Sequence, residues 1–316
     1  MISESIKRIE ELLNELEQNA ETADKACELR MEVANVYSKL RYGDSSKRDG
    51  KVIIDKNNVE ELFEDAVKNN EFKVFYQPKV NLKTYEPNGA EALCRWIHDD
   101  QVISPDSFIP ILEQSSRIEK LDFYMLEHVC MDMRRWLDEG RNVVQISVNL
   151  SRINVGQDRL LERIVEIVDK YRIPHSYIQI ELTETSTELG FDELKDLVLG
   201  LRDVGISTAV DDFGTGYSSL KLISDLPWNV LKIDKSLLHE AEREGSSEHL
   251  MLCHIISMVR DLGMECVVEG VETPEDVKLL KDNNCFVAQG FYFDRPISAE
   301  YFEQLLESVN QQKRMR

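Results

Sequence analysis

Three segments decide the fold: Val143-Val144-Gln145-Ile146-Ser147-Val148-Asn149-Leu150, Tyr177-Ile178-Gln179-Ile180-Glu181-Leu182 and Ser207-Thr208-Ala209-Val210-Asp211-Asp212. Each alternates apolar, largely β-branched residues with small or polar ones, as strands do, and each delivers an amide or an acid near its end. Between them, 156–171 and 190–204 read as amphipathic helices. A strand, a helix and a strand in succession make parallel neighbours, because parallel strands need a crossover of this length. Downstream the unit repeats, with strands over 230–234, 264–269 and 286–289 and helices near 216–225, 247–262, 274–283 and 298–311. Upstream, a helix over 58–69 buries Val59, Leu62, Phe63, Ala66 and Val67, and strands over 72–82 and 89–97 follow. Ser104-Pro105-Asp106 opens a helix with an N-cap and a proline at the first position, and a longer helix runs through Met125 and Trp136. Eight strands with helices after most of them predict an α/β fold, a (β/α)8 TIM-type barrel. The turn holding Pro87 and Asn88 is too short for a crossover, so the first two strands are antiparallel and the barrel has one reversed strand.

The 316 residues carry 38 Lys plus Arg against 59 Asp plus Glu, a formal charge of −21. Binding to DNA or RNA chains is driven by basic side chains that neutralise phosphates, so no polymeric nucleic acid is expected as a partner. A small phosphate ester stays within reach of an acidic protein if metal ions bridge the two. Cys27, Cys94, Cys130, Cys253, Cys266 and Cys285 show no two-residue metal-ligand spacing and read as reduced thiols. With no signal-peptide pattern and no apolar run of about 18 residues, a cytoplasmic chain without a membrane segment is expected.

Residues 1–50 read as a helical arm and linker ahead of a barrel over 51–316. Ile6, Ile9, Leu13, Leu16, Ala20, Ala23 and Cys27 form one helical stripe, and Leu29, Val33, Val36 and Leu40 form a second, out of phase with it. A dimerising helix, a helix packed on the barrel and the end of a larger upstream domain all fit. The polar stretch Gly43-Asp44-Ser45-Ser46-Lys47-Arg48-Asp49-Gly50 is the linker.

In such barrels the C-terminal ends of the strands carry the site. Those ends hold Glu91, Asn149, Glu181, Asp211 with Asp212, Lys232 with Asp234, Glu269 and Gln289. One acid there is usually a helix cap or a solvated loop residue; this many on one rim make a site. Oxygen donors without His or Cys suit Mg²⁺ or Mn²⁺ rather than zinc. Adjacent strand residues point to opposite faces, so Asp211 and Asp212 share a site only where the alternation breaks at the strand end. One carboxylate can then bridge two cations, the arrangement for in-line displacement at phosphorus. Phe213-Gly214-Thr215-Gly216-Tyr217-Ser218-Ser219 follows and can fold close over a ligand, or simply turn into a helix. Lys232, alone among acids, keeps its proton, which suits it to orient water or offset phosphate charge rather than to act as a base. Glu269 is the better group for proton transfer, and Glu272 stands beside the helix start at Thr273-Pro274.

Tyr76-Gln77-Pro78, Glu91-Ala92-Leu93 with Arg95-Trp96, Ser147-Val148-Asn149-Leu150-Ser151, Glu181-Leu182-Thr183-Glu184, Asp211-Asp212-Phe213-Gly214-Thr215-Gly216, Leu231-Lys232-Ile233-Asp234, Glu269-Gly270-Val271-Glu272 and Gln289-Gly290-Phe291 follow in order. The set, over about residues 58–312, resembles the signature of the EAL-domain cyclic-di-GMP phosphodiesterases. The resemblance implies hydrolysis of cyclic di-GMP to linear pGpG with two Mg²⁺ or Mn²⁺ ions, by a homodimer. It implies Glu91, Asn149, Glu181 and Asp211 at the first ion, with Asp211 and Asp212 reaching the second. Lys232, Glu269 and Glu91 would be catalytic, and Gln77, Arg95, Gln289 and Asp234 would face the substrate. Glu184 and Glu272 would anchor the glycine loop. Lys79 stands where an apolar residue is usual, Cys94 replaces an aliphatic, and Phe291 stands for Tyr.

A receptor that binds cyclic di-GMP without cutting it is the rival within the family; such members typically lose metal-ligand acids or the loop sequence, which this chain keeps. Outside the family, an enolase-type barrel with Lys232 as base fits the Asp211-Asp212 pair and the glycine loop less well. A two-carboxylate glycosidase needs neither Asn149 nor a lysine. Replacing Glu91 with Ala is expected to abolish turnover, whereas replacing Glu303, read as an exposed helical acid, is not.

Overall fold

The computed structural model describes residues 58–99, 101–183, 190–215, 220–240 and 246–315. The expected arm and linker over 1–50 lie outside the described residues, as do Glu184 and residues 216–219 of the glycine loop.

The described residues begin with α1 (Val59–Lys68), β1 (Phe72–Asn81), β2 (Pro87–His98), β3 (Gln101–Ile103), α2 (Ile109–Gln114) and α3 (Ile118–Asp138). They continue with β4 (Gln145–Asn149), α4 (Leu160–Lys170), β5 (Ile178–Thr183), α5 (Phe191–Val204), β6 (Ser207–Phe213), α6 (Leu220–Asp225) and β7 (Val230–Ile233). Last come α7 (Lys235–Glu240), α8 (Ser247–Asp261), β8 (Glu265–Val268), α9 (Pro274–Asp282), β9 (Val287–Gln289), β10 (Ile297–Ser298) and α10 (Ala299–Met315). Strands β1, β2, β4, β5, β6, β7, β8 and β9 close into a barrel, β9 pairing back onto β1. Every barrel pair is parallel except the two made by β1, so the reversed strand is the first. Its turn spans 82–86, and Pro87 and Asn88, expected in the turn, already belong to β2.

Two short strands went unforeseen because two or three residues cannot show alternation. β3 folds back on the end of β2, and β10 adds to the free stretch of β1 at Phe75 and Tyr76. Ser104 does not cap as expected: its Oγ donates to Asp106 Oδ2 at 3.3 Å, and Pro105–Ser107 form a single 3₁₀ turn before α2. Thr273 does cap, its Oγ1 accepting from Asp276 N while Asp276 Oδ2 accepts from Thr273 N.

Outside the barrel, Tyr76 stacks on Phe302 with centroids 5.1 Å apart and meets Trp136 edge-on at 5.2 Å, tying β1 to α10 and α3. Glu303 is not the exposed acid expected. It is buried next to Phe302, where its Oε1 accepts from Trp136 Nε1 at 2.9 Å and pairs with Arg135 at 2.6 Å. A buried indole N–H needs an acceptor, and α10 supplies one. Inside the barrel, Ala209, Val230, Val267 and Val287 form an apolar patch on the β6 to β9 side. The β1 to β5 side is polar, with Lys79, Ser147, Gln179 and Glu181 all buried. Gly89 fits here because a Cβ would stand 2.9 Å from the Gln145 carbonyl oxygen.

Candidate active site

Glu91 lies within β2 rather than at its end, but parallel pairing of β2 with β4 stops at Ala92, so it stands at the barrel rim. Its Oε1 accepts from Asn149 Nδ2 at 2.8 Å, and its Oε2 accepts from Gln289 Nε2 at 2.7 Å and Lys232 Nζ at 3.2 Å. Lys232, 1% exposed, is the hub of the site. Besides Glu91, its Nζ reaches Glu181 Oε2 at 2.6 Å, Asp211 Oδ1 at 2.9 Å and Glu269 Oε1 at 2.8 Å. β6 supplies the pair of aspartates through a local break. Its pairing with β7 slips between Val210 and Phe213, and Asp212 takes a left-handed φ of 56°, which Asp tolerates better than most residues. Asp212 N then donates to Asp211 Oδ1 at 2.9 Å. Carboxylate oxygens of Glu91, Glu181 and Asp211 come within 4.8 Å of one another, as do those of Asp211, Asp212 and Glu269. Asp211 belongs to both groups.

The charges do not balance. Burial pushes the Asp211 carboxyl well above its ordinary range, and Glu181, Glu269 and Glu91 reinforce this against the pull of Lys232. Burial likewise raises Glu269 to about 7 and raises Asp212, again with Lys232 pulling the other way. Burial would also raise Glu181, yet Lys232 and Lys79 hold it down at about 2. Burial would strip the proton from Lys232, but Asp211, Glu181, Glu269 and Glu91 hold it on, well above the ordinary lysine range. Five acids on two lysines leave surplus negative charge in a largely buried site, and the acids offer only oxygen donors. This set fits hard divalent cations.

One consequence is measurable. A group whose folded pKa is raised stabilises the fold below its unfolded value and loses that contribution as pH rises through its folded value. For Glu269 the window runs from 4.5 to about 7. Between these pH values the metal-free protein is expected to lose stability, while a divalent cation takes over from the protons. Melting with EDTA or with Mn²⁺ at one fixed concentration, a hundredfold excess over its Kd at pH 8, should therefore differ more at pH 8 than at pH 5.5. Such an excess adds about 2.7 kcal/mol, roughly 5–10 °C. An equal or smaller gap at pH 8 would contradict this.

Other residues singled out in the sequence lie further out. Gln77 is buried and joins the cluster through Gln289, whose Nε2 donates to its Oε1 at 3.0 Å; Gln77 Nε2 donates to the Asp294 carbonyl at 3.2 Å. Arg95 is half-buried, its Nη1 on the Cys94 carbonyl at 2.8 Å. Asp234 accepts from Ser236 N at 2.8 Å at the start of α7. Glu272 is exposed, and its N–H donates to Asp276 Oδ2 at 3.0 Å. One residue near the site was missed, and another was noted only as a departure from the family pattern. Asp122 holds the turn after Asn149, accepting from Ser151 N at 2.8 Å and Asn154 Nδ2 at 2.7 Å. Lys79 touches Glu181 from below at 2.7 Å. Asp122 lies inside a helix, where no local pattern marks it; Lys79 stands out in the sequence as a lysine where an apolar residue is usual, but nothing there shows its contact with Glu181.

The EAL domain signature matches residues 60–296. This chain belongs to the EAL domain family. Across 283 residues this EAL chain is 32% identical to the signaling protein YkoW of Bacillus subtilis, covering 89% of this chain and 35% of YkoW. It is 32% identical over 251 residues to the cyclic di-GMP phosphodiesterase NbdA of Pseudomonas aeruginosa, covering 79% of this chain and 32% of NbdA. The chain thus spans about a third of these relatives' length. The solved PaMucR phosphodiesterase in complex with c-di-GMP aligns with a TM-score of 0.72 at 31% identity, covering 78% of this chain and 99% of that one. The PaMucR structure shares the barrel. Among the described residues, no helix is long and apolar enough to cross a membrane.

Proposed function

We propose that this EAL domain is a metal-dependent phosphodiesterase that hydrolyses cyclic di-GMP to linear 5′-pGpG. The observation that carries this is the pair of overlapping carboxylate groups joined at Asp211. Its similarity to NbdA and to the c-di-GMP complex of PaMucR supports the substrate. Glu91, Asn149, Glu181 and Asp211 would hold one Mg²⁺ or Mn²⁺, with Asp211 and Asp212 reaching a second. When bound, such ions supply Lewis acidity at the phosphoryl oxygens and a nucleophilic water at neutral pH. Glu269 accepts the water's proton on its carboxylate. Lys232 keeps its proton and offsets charge on the phosphate. Gln77, Arg95, Gln289 and Asp234 contact the substrate in this proposal, Arg95 through a guanidinium suited to phosphate. Glu184 and Glu272 anchor the glycine loop, and a cytoplasmic homodimer headed by the 1–50 arm completes the picture.

Incubation of the purified protein with cyclic di-GMP and Mn²⁺ tests it, with pGpG as the expected product and no product in EDTA. Binding without turnover would overturn the enzyme and leave a cyclic-di-GMP receptor.

A further inference from the structure

Lys79 is buried in the barrel interior, and the chemistry above gives it no part. Its Nζ donates to Ser147 Oγ at 2.9 Å, Gln179 Oε1 at 3.1 Å and Glu181 Oε1 at 2.7 Å, which uses all three ammonium protons. Gly89 lies opposite it in the β1–β2 register, where a Cβ would only touch Lys79 Cδ at 3.9 Å. The neutral partners are themselves tied down. Gln179 Nε2 donates to Ser207 Oγ at 3.1 Å and Gln145 Oε1 at 3.3 Å, and Ser147 Oγ donates to the Ala90 carbonyl at 3.4 Å. Glu181 therefore meets two ammonium groups, one on each oxygen. Oε1 goes to Lys79, and only Oε2 shares Lys232 with Glu91, Asp211 and Glu269.

We propose that Lys79 is a positioning residue for the metal centre: it fixes Glu181 through Oε1, so that Oε2 is the oxygen presented to the ion held with Glu91 and Asp211. This rests on Glu181 being a metal ligand. Without Lys79, Oε1 would be a buried, charged acceptor lacking a donor. The carboxylate would turn both oxygens to Lys232, the one ammonium left beside it, and withdraw Oε2 from the ligand set. The Lys79 ammonium also repels a divalent ion, but it does so from the far side of a carboxylate that screens it, whereas the withdrawn ligand bond is direct.

Calorimetric titration with Mn²⁺ alone, without substrate, tests the proposal on the full chain and on K79M, E181Q and the double variant. K79M is expected to weaken Mn²⁺ binding at least tenfold, a loss of about 1.4 kcal/mol. The double variant is expected to bind no more weakly than E181Q, because Lys79 acts through Glu181. K79M affinity within twofold of the unaltered protein would overturn the proposal. So would a further tenfold loss in the double variant relative to E181Q. Should K79M fail to fold, comparing E181Q with the double variant can still overturn the proposal, since the double variant buries neither a lone ammonium nor a lone carboxylate at this pair. If the unaltered protein binds no Mn²⁺, the phosphodiesterase proposal falls with this one, and that is visible before any variant is compared.

Discussion

Replacing Glu91 with alanine is expected to lower kcat/KM for cyclic di-GMP by more than about 100-fold, the upper range for residues that merely support a metal ligand. Glu91 does more than support. It takes hydrogen bonds from Asn149, Gln289 and Lys232, on strands β4, β9 and β7, and it also belongs to the first carboxylate group. Truncation removes a ligand and frees three donors to wander. Glu91→Gln separates charge from volume. An amide has one oxygen and one NH₂, so whichever way it turns it points a donor at a donor, either Asn149 or the Gln289 and Lys232 pair. This variant is expected to fold yet stay as slow as Glu91→Ala. Glu303 is unsuitable as a control because it is buried against Trp136; Glu162, exposed on α4, serves instead. Release of pGpG at saturating Mn²⁺ is the readout. Turnover within tenfold of the unaltered protein in either Glu91 variant would remove Glu91 from the site.

The metal-free Lys232→Met variant is expected to melt at least about 6 °C below the unaltered protein. Breaking a buried ion pair from one side costs roughly 3–5 kcal/mol, because the partner charge stays behind without compensation. Here four carboxylates stay behind, and Lys79 reaches only Glu181 among them. The loss should shrink at pH 5, where Glu269 and its neighbours take up protons in place of the ammonium. Excess Mn²⁺ should raise the melting temperature of the variant more than that of the unaltered protein, since the ions meet less competing positive charge. Equal melting temperatures in EDTA would contradict the balance of charges described for the site. Turnover is expected to disappear with the lysine even where Mn²⁺ restores the fold.

The barrel was legible because its strands are short and regular. Alternation in β4, β5 and β6, with helical periods between them, is enough to order eight strands, and the brief connection after β1 is enough to reverse one. The acids were legible by the same token, since rims collect strand ends. Which oxygen meets which nitrogen was not, because Glu91, Glu181, Asp211 and Glu269 meet through Lys232 across residues far apart in sequence. The part Lys79 plays escaped for a plainer reason. The sequence marks it as a lysine where an apolar residue is usual, but not that β1 has helices on one side and the barrel interior on the other, so that the ammonium is buried against Glu181. Glu303 misled in the same way, for the polar side of α10 is covered where Trp136 needs an acceptor. Arg95 and Glu272 stand near the rim by sequence, while their hydrogen bonds run to the Cys94 carbonyl and Asp276.

The pairing of β1 with β9 also sets when the site can come into being. Gln289 to Gln77, Gln77 to Asp294 and Gln289 to Glu91 are hydrogen bonds across 212, 217 and 198 residues of sequence. Contacts of such separation form late, since each demands the closure of about two thirds of the chain. A ribosome-bound chain that has emerged only as far as β8 already carries Glu91, Asn149, Glu181, Asp211 and Lys232, yet lacks the strand that brings Gln77 and Gln289 together over them. The site therefore comes to completion with the last barrel strand, and a chain cut short before residue 287 would lack Gln289 and its bonds to Glu91 and Gln77 however well its first seven barrel strands had folded.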